Sequence, residues 1–442
     1  MVWGKVTLGE VCRIEKGNIG ILKATQGDYP LVVLGEERRT HNEYQFDGEA
    51  VVIPLVSSTG HGDRSMKRIH FQSGKFSVGS ILCAVMPKDS STLSAEFLYR
   101  YLDLNKEREL VSRMKGMANV SLSIKSIAEV EIPLPPINKQ KEIVDSFKYI
   151  ETQTNTLSSE FFHQLDFLKK LRQQILQDAV QGKLVPQDPK DEDASKLLER
   201  IGRIKKQLIN DKKLKFGKST DKPLSLIDKI VMPETWKWCK SDDIFFVTKL
   251  AGFEYTDHVV LKPSGEIPVI RAQNVRRVKI DKSNLVYIDI DTSYLLNRCA
   301  LTKTCLLVTF IGAGIGDVAT FNEKERWHLA PNVAKVEPFE GCEDMIDVFY
   351  MNYFLLSSIG QREIFKHIKA TAQPSLSMST IRDVDIPVPP LSEQHRIVAK
   401  IEQLMNHCDE LEQTIQQSQK YTKELLHVAL KEALEPRKVM LK

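Results

Sequence analysis

The sequence offers no way to pair its cysteines. The seven (Cys12, Cys83, Cys239, Cys299, Cys305, Cys342 and Cys408) are odd in number, scattered, and form no Cys-x-x-Cys. That excludes a disulfide framework and a zinc cage, and reads as reduced thiols in a cytoplasmic protein. Long apolar runs are also missing. The uncharged stretch from Thr304 to Gly316 is too short and too rich in glycine to cross a bilayer, so no membrane partner is expected. The opening residues, MVWGKVTLGE, contain no apolar segment of the secretory kind. Ten histidines show neither His-x-x-x-His nor His-Glu-x-x-His spacing, so no metal site is expected. Charge of one sign is lacking too: 62 Lys and Arg against 58 Asp and Glu leave a net charge of +4. Such a balance permits a nucleic-acid partner and excludes a bulk polycation. A hydrophobic content of 42% and a charged content of 27% exclude wholesale disorder. At 442 residues the chain has room for roughly three domains of about 150 residues each.

What the chain does have is an internal duplication. SLSIKSIAEVEIPLPPINKQKEIVDSF (121–147) aligns without a gap to SLSMSTIRDVDIPVPPLSEQHRIVAKI (375–401), with 12 of 27 positions identical at an offset of 254. The same offset pairs VVIPLVSSTGHGD, from Val51, with CLLVTFIGAGIGD, from Cys305, and ILQDAVQ (175–181) with ALKEALE (429–435). Nearer the starts, Trp3 matches Trp236 and YPLVVLGEERR (29–39) resembles IPVIRAQNVRR (267–277). A period this long indicates duplicated domains, a pseudo-dimer within one chain.

Within each copy, short apolar runs bounded by Gly, Pro and Asp predict strands at Tyr29–Leu34, Val51–Val56, Ser80–Met86, Ile267–Ile270 and Cys305–Ile311. Each domain closes on a proline-rich exit, Ile132–Pro136 or Ile386–Pro390, which neither a ladder nor a helix interior accepts. A long helix then begins, with Asn138 or Ser392 as expected N-cap. Ile143, Phe147, Ile150, Thr154, Leu157 and Phe161 alternate four and three apart, and Ile397, Ile401, Leu404, Cys408, Leu411 and Ile415 repeat the pattern. These are matched heptad seams, with a change of period expected near Leu165–Leu171. Gly182 and Pro436 are the expected stops, giving helices of about 44 residues, on the order of 65 Å long. The fold class is therefore α+β: two duplicated mixed α/β domains joined by two long antiparallel coiled-coil helices. The expected boundaries are 1–136 for the first domain, 137–182 for its helix, 183–234 for a charged linker, 235–390 for the second domain and 391–436 for its helix. Within the linker, Ala194–Leu208 reads as a short helix and Asn210–Pro223 as flexible chain.

No motif of catalysis holds up. Phe310–Asp317 resembles a glycine-rich loop that grips S-adenosylmethionine, yet VATFNEKERW after it reads as β where a helix N-terminus is required, and the first copy loses the first glycine. It reads better as a hairpin. Leu134 and Val388 precede the diprolines where amino-methyltransferase chemistry needs a carboxylate or amide oxygen, so these prolines are structural. Phe216–Ser219 looks like the end of a P-loop, but position 212 is Lys and no strand precedes it. Asp191-Glu192-Asp193 reads as a solvated charge run. Three basic and polar sets remain as binding candidates. Arg271, Gln273, Asn274, Arg276 and Arg277 combine groups suited to phosphates and base edges, and Arg38 with Arg39 is the first-domain counterpart, without the amides. Ser58, Thr59, His61, Arg64, Lys67 and Arg68 form the second set; Lys115, matched by Lys369 with Gln373, forms the third. Singly each reads as a solvated surface charge, but recurrence at loop positions of both copies makes the group a binding surface.

The diproline, the following Gln140 or Glu393-Gln394, the Ile-Val opening each long helix (143–144 and 397–398), and LRQQILQDAVQGKLVPQDPKDEDASKLLERI (171–201) are together similar to the conserved regions of type I restriction–modification specificity subunits. The resemblance covers essentially the whole chain. It implies two target-recognition domains, each reading half of a split double-stranded DNA site, and two antiparallel helices that act as spacer and docking site. It further implies two methyltransferase subunits as partners, carrying the S-adenosylmethionine, and two motor-nuclease restriction subunits, with no catalysis and no cofactor in this chain. The alternatives are a self-contained adenine methyltransferase built on Phe310–Asp317 and a coiled-coil scaffold that touches no DNA.

Overall fold

An uninterrupted apolar strand needs cover on both faces, and Ala50–Pro54, buried at every residue, has it. In the computed structural model, which describes residues 3–59, 62–117, 119–214, 231–312, 314–366 and 375–434, its alternate side chains serve two cores. Val51 and Ile53 pack with Phe97, Leu98 and Leu102 of the helix Ala95–Leu104, whereas Ala50 and Val52 pack with Phe46, Phe76 and Val78 of a second sheet. The chain divides into two compact units, Met1–His163 with Ile415–Lys442, and Gln164–Thr414.

The first unit holds an antiparallel sheet in the order Cys12–Lys16, Leu82–Pro87, Ala50–Pro54, His70–Gln72. Its second sheet runs Arg39–His41, Tyr29–Val32, Lys75–Val78, Phe46–Asp47, with the middle pair parallel. A two-stranded ribbon joins Lys5–Thr7 to the exit strand Glu131–Pro133. The second unit repeats this plan strand for strand. Phe245–Lys249, Val333–Pro338, Cys305–Thr309 and Val318–Phe321 form one sheet; Val286–Ile288, Ile267–Ile270, Trp327–Leu329 and Ala300–Leu301 form the other, again with its middle pair parallel. Lys237–Lys240 pairs with the exit strand Asp385–Val388, Trp238 facing Pro387, so each proline-rich exit does join a ladder, in a two-stranded ribbon where a missing N–H can face outward. All five expected strands are present. The duplication read from the sequence is a duplication of topology.

Cys305–Thr309 and Val318–Phe321 form a hairpin, Val308 facing Val318. A strand, not a helix, therefore follows the glycine-rich segment, and the methyltransferase alternative loses the helix N-terminus that phosphate and nucleoside binding needs.

The long helices run Ile137–Ala179 and Leu391–Leu434. They begin earlier than Asn138 and Ser392 as caps require. Gln140 N–H donates to the Pro136 carbonyl and Gln394 N–H to the Pro390 carbonyl, so the second proline of each pair, its φ already fixed, opens the helix. Ser392 Oγ instead donates to Asp191 Oδ1. The first helix ends before Gly182, which takes φ +69°; Pro436 and the P-loop-like Phe216–Ser219 lie outside the described residues, as does most of Asn210–Pro223. The helices run antiparallel in each unit. In the first, Ile143 and Phe147 share a core with Leu430, Ala433 and Leu434. In the second, Arg172 reaches Asp409 at 2.7 Å and Glu412 at 3.0 Å.

The seam departs from a strict heptad. Leu157 and Leu411 are 46% and 52% exposed, while Ser158 and Glu412 turn inward. The inward positions step 150, 154, 158, 161 and 404, 408, 412, 415. That four-four-three step matches the 3.6-residue turn of an untwisted helix, which a 3.5-residue repeat falls short of. The change of period therefore falls at Thr154–Phe161 rather than near Leu165–Leu171. Ile143 and Phe147 serve the first domain's core, and Ile397 and Ile401 are buried as well.

The stretch 183–214 packs into the second unit. Asp191 is a buried carboxylate, its side chain 7% exposed and held by Arg396 at 2.7 Å, Glu192 pairs with Arg200, and Asp193 caps the helix Ala194–Asn210. Asp191 departs from the solvated run expected there, while Glu192 stays exposed.

Candidate nucleic-acid interface

In the first domain three loops converge at one edge of the sheets. Ser57 N–H donates to the Val120 carbonyl at 3.1 Å and Leu122 N–H to the Leu55 carbonyl at 3.0 Å, which lays Leu55 and Ser57 against Val120 and Leu122. Gly62 takes φ +86°, and a Cβ there would stand 2.5 Å from the Met117 carbonyl oxygen, so the close approach demands glycine. Arg68 reaches Glu36 at 2.7 Å and brings in the loop 35–39. Hydroxyls shape the middle loop: Ser58 Oγ accepts from the Lys67 backbone N–H at 3.0 Å, and Thr59 Oγ1 meets Ser65 Oγ at 2.9 Å. Arg39, Arg64, Lys67 and Lys115 project from these loops as exposed cations.

Arg38 belongs to the scaffold. Its guanidinium donates to Gln72 Oε1, the Glu36 and Phe71 carbonyls, and His70 Nδ1. Burial lowers its pKa. Burial, with Arg38 and Arg68 nearby, also pushes His70 down to about 4, so its imidazole is neutral and Nδ1 accepts.

The second domain builds the same edge. Val278 N–H donates to the Val318 carbonyl at 3.1 Å and Leu376 N–H to the Phe310 carbonyl at 2.9 Å. Arg277 meets Asp317 at 3.4 Å. Gly316, the duplicate of Gly62, again has positive φ (+84°), and a Cβ would stand 2.4 Å from the Phe365 ring. Gln273, Arg276 and Arg277 are exposed, while Arg271 is half-buried and donates through Nη2 to the Asn284 carbonyl. Asn274, 1% exposed, accepts from the Arg271 N–H and donates to the Asp281 carbonyl. Its amide closes the loop and has nothing left for a base. Exposed Lys279 joins the set; sequence reasoning passed over it although it continues the run Arg276-Arg277-Val278. Val278 carries φ +76°, costly for a β-branched residue, at the loop tip. His61, Lys369 and Gln373 lie outside the described residues.

Among the described residues these surfaces carry cations and hydrogen-bonding groups, and no cysteine is an activated nucleophile. The cysteines are buried, and burial pushes Cys12 and Cys83 up to about 12 and Cys299 up to about 11, far from reactive thiolates. Among the described residues no three His, Cys, Asp or Glu side chains gather as a metal site requires, and no helix is long and apolar enough to cross a membrane.

The type I restriction modification DNA specificity domain matches this chain twice, over residues 2–163 and 233–419. The chain belongs to that family. Each match takes in one domain and much of the long helix that follows it. Among curated members, the chain is 28% identical to the EcoAI specificity subunit of Escherichia coli over 252 residues, 55% of this chain and 41% of that protein. It is 21% identical to the Escherichia coli EcoDI specificity subunit over 419 residues, 93% of this chain and 83% of that protein. The chain spans about half the length of the EcoAI and EcoBI subunits that it matches, 41% and 55%. Two solved structures share the family's fold. One, from work on complex assembly and conformational transition of the type I R-M system, aligns with TM-score 0.57 at 14% identity, covering 98% of both chains. The HsdS subunit from Thermoanaerobacter tengcongensis aligns with TM-score 0.50 at 15% identity, covering 98% of this chain and 97% of that one.

Proposed function

We propose that this chain is the DNA-specificity subunit of a type I restriction–modification enzyme, reading a bipartite, asymmetric double-stranded target without catalysing any step. The observation that carries this reading is the repetition of one loop arrangement in two topologically identical domains, with side chains that differ between the copies. Residues 1–136 and 235–390 are the two recognition domains, 137–182 and 391–436 the spacer helices, and 183–234 the connecting segment. Arg39, Arg64, Lys67, Arg68, Lys115, Arg276 and Arg277 take phosphates, while Arg271 and Gln273 read base edges from the second domain. Ser58 and Thr59 shape the loop and offer hydroxyls; His61, Lys369 and Gln373 are assigned by their sequence positions. Arg38 and Asn274 act as braces behind the surface.

Two methyltransferase subunits, carrying S-adenosylmethionine, dock on the long helices, and two motor-nuclease subunits complete a cytoplasmic restriction complex. Support for paired docking comes from exposed apolar residues at duplicated positions: Phe167 and Leu171 in the second unit, Tyr421 and Leu425 in the first. Each lies outside the seam, where a lone helix pair gains nothing from an aromatic ring. At 43 and 44 residues, each helix is about 65 Å long, near two turns of B-DNA at about 34 Å each, and serves as the ruler between half-sites.

The test is binding and turnover with and without the methyltransferase partner. The complex should shift DNA in a salt-dependent manner and transfer labelled methyl groups; the chain alone should transfer none. Turnover by the isolated chain would restore the enzyme alternative, and salt-independent absence of any shift by the complex would favour the scaffold.

A further inference from the structure

Four residues into each helix after its diproline stands a glutamine, Gln140 or Gln394, and both are 0% exposed. A buried amide must find partners for both its ends, and the two copies share two of them, a domain-helix N-cap and the first proline of the pair. Gln140 Oε1 accepts from the Ser94 N–H at 2.8 Å, while its Nε2 donates to the carbonyls of Pro135 at 2.8 Å and Thr92 at 2.9 Å. Gln394 Oε1 accepts from the Asp347 N–H at 2.9 Å, and its Nε2 donates to the Pro389 carbonyl at 2.9 Å. Ser94 and Asp347 are the N-caps of the domain helices Ala95–Leu104 and Val348–Leu356. One side chain thus ties a domain helix, the extended exit and the first turn of the long helix together. Apolar packing at such a junction tolerates sliding, whereas hydrogen bonds weaken steeply with angle. The leverage is large. A 43-residue helix is about 65 Å long, so a tilt of about 3° at its base moves the far end by about 3.4 Å, one base-pair step.

We propose that Gln140 and Gln394 are positioning residues that set the angle between each recognition domain and its spacer helix, and so the strictness with which the gap between half-sites is measured. This rests on the specificity reading above. The test is methylated-base sequencing of a host carrying the full restriction–modification system with Gln140→Met, Gln394→Met or both, substitutions that keep the volume and remove the bonds. The parent should show one gap length. The variants should keep the same half-site bases while methylation at gaps one base pair longer or shorter rises at least tenfold. An unchanged gap distribution overturns the proposal. So does relaxation of the half-site bases in step with the gap, or loss of soluble protein from both single variants, since either makes the glutamines ordinary core residues. A parent lacking any gene-dependent bipartite motif would overturn the specificity reading, and this inference with it.

Discussion

Replacing Arg276 and Arg277 by glutamine gives a perturbation whose size follows from the structure. Arg276 is exposed and spends only a 3.4 Å contact on its neighbour's carbonyl, that of Val275. Arg277 is shared with Asp317 at 3.4 Å, so its removal also leaves an uncompensated carboxylate facing DNA. Asp317→Asn belongs in the same variant to isolate the phosphate term. Each phosphate contact contributes about 0.9 to the slope of log affinity against log salt. Losing two lowers that slope by about 1.8, and a fourfold rise from about 50 to about 200 mM salt should shrink the parent's advantage roughly 12-fold. Arg276→Gln alone should lower the slope by about 0.9 and shrink the advantage roughly 3.5-fold. The assay is a salt-titrated shift of target DNA by the complex with its methyltransferase partner, with thermal melts to show that folding is unchanged. A slope equal to the parent's would remove this loop from the phosphate contacts and refute the reasoning.

Three further outcomes are expected. Four helix-favouring residues inserted after Thr156 and after Glu410, equivalent positions just before the inward Ser158 and Glu412, add about 6 Å and should lengthen the gap by one or two base pairs of about 3.4 Å; altered half-sites with an unaltered gap, read from methylated DNA, would end the ruler account. Exchanging residues 235–388 for those of another specificity subunit should change one half-site only, and a change in both would contradict independent reading. Arg396→Met removes the two bonds, 3.2 and 2.7 Å, that hold the Asp191 carboxyl below its usual range, and should cost about 2 kcal/mol at neutral pH. A carboxylate depressed in the fold stabilises above its unfolded value of about 3.9, and that stability is lost as pH falls through the folded value. The parent's advantage in thermal melts should therefore narrow below about pH 4, and an advantage that grows on acidification would contradict the pairing.

How much of this was legible in the sequence depends on the range of the interactions involved. The domain duplication and the five predicted strands were readable because each rests on a local signal: a fixed offset, or an apolar run such as Ala50–Pro54 that needs two covered faces. The seam was half legible. Leucine marks a position as apolar, but at 157 and 411 helical drift turns Ser158 and Glu412 inward instead. Asp191 looked solvated because its partner Arg396 lies 205 residues away. An arginine or amide has the same letter whether it faces a base or braces a loop, so the sequence does not separate Arg38 and Asn274 from the other basic and amide residues of these loops. Only the fold shows the bonds of those two turned inward. The convergence of the three loops in each domain is likewise a product of backbone pairing, such as Ser57 with Val120, that no local pattern encodes.

The central claim is that this chain selects a split DNA sequence for methylation by a partner. Methylated-base sequencing of the host genome, with the gene intact, deleted and restored, tests that most directly. The account predicts one asymmetric motif, two half-sites around a fixed unread gap, that loses its methylation on deletion and regains it on restoration. A motif that persists without the gene, or a gene-dependent motif that is continuous or symmetric, would contradict it.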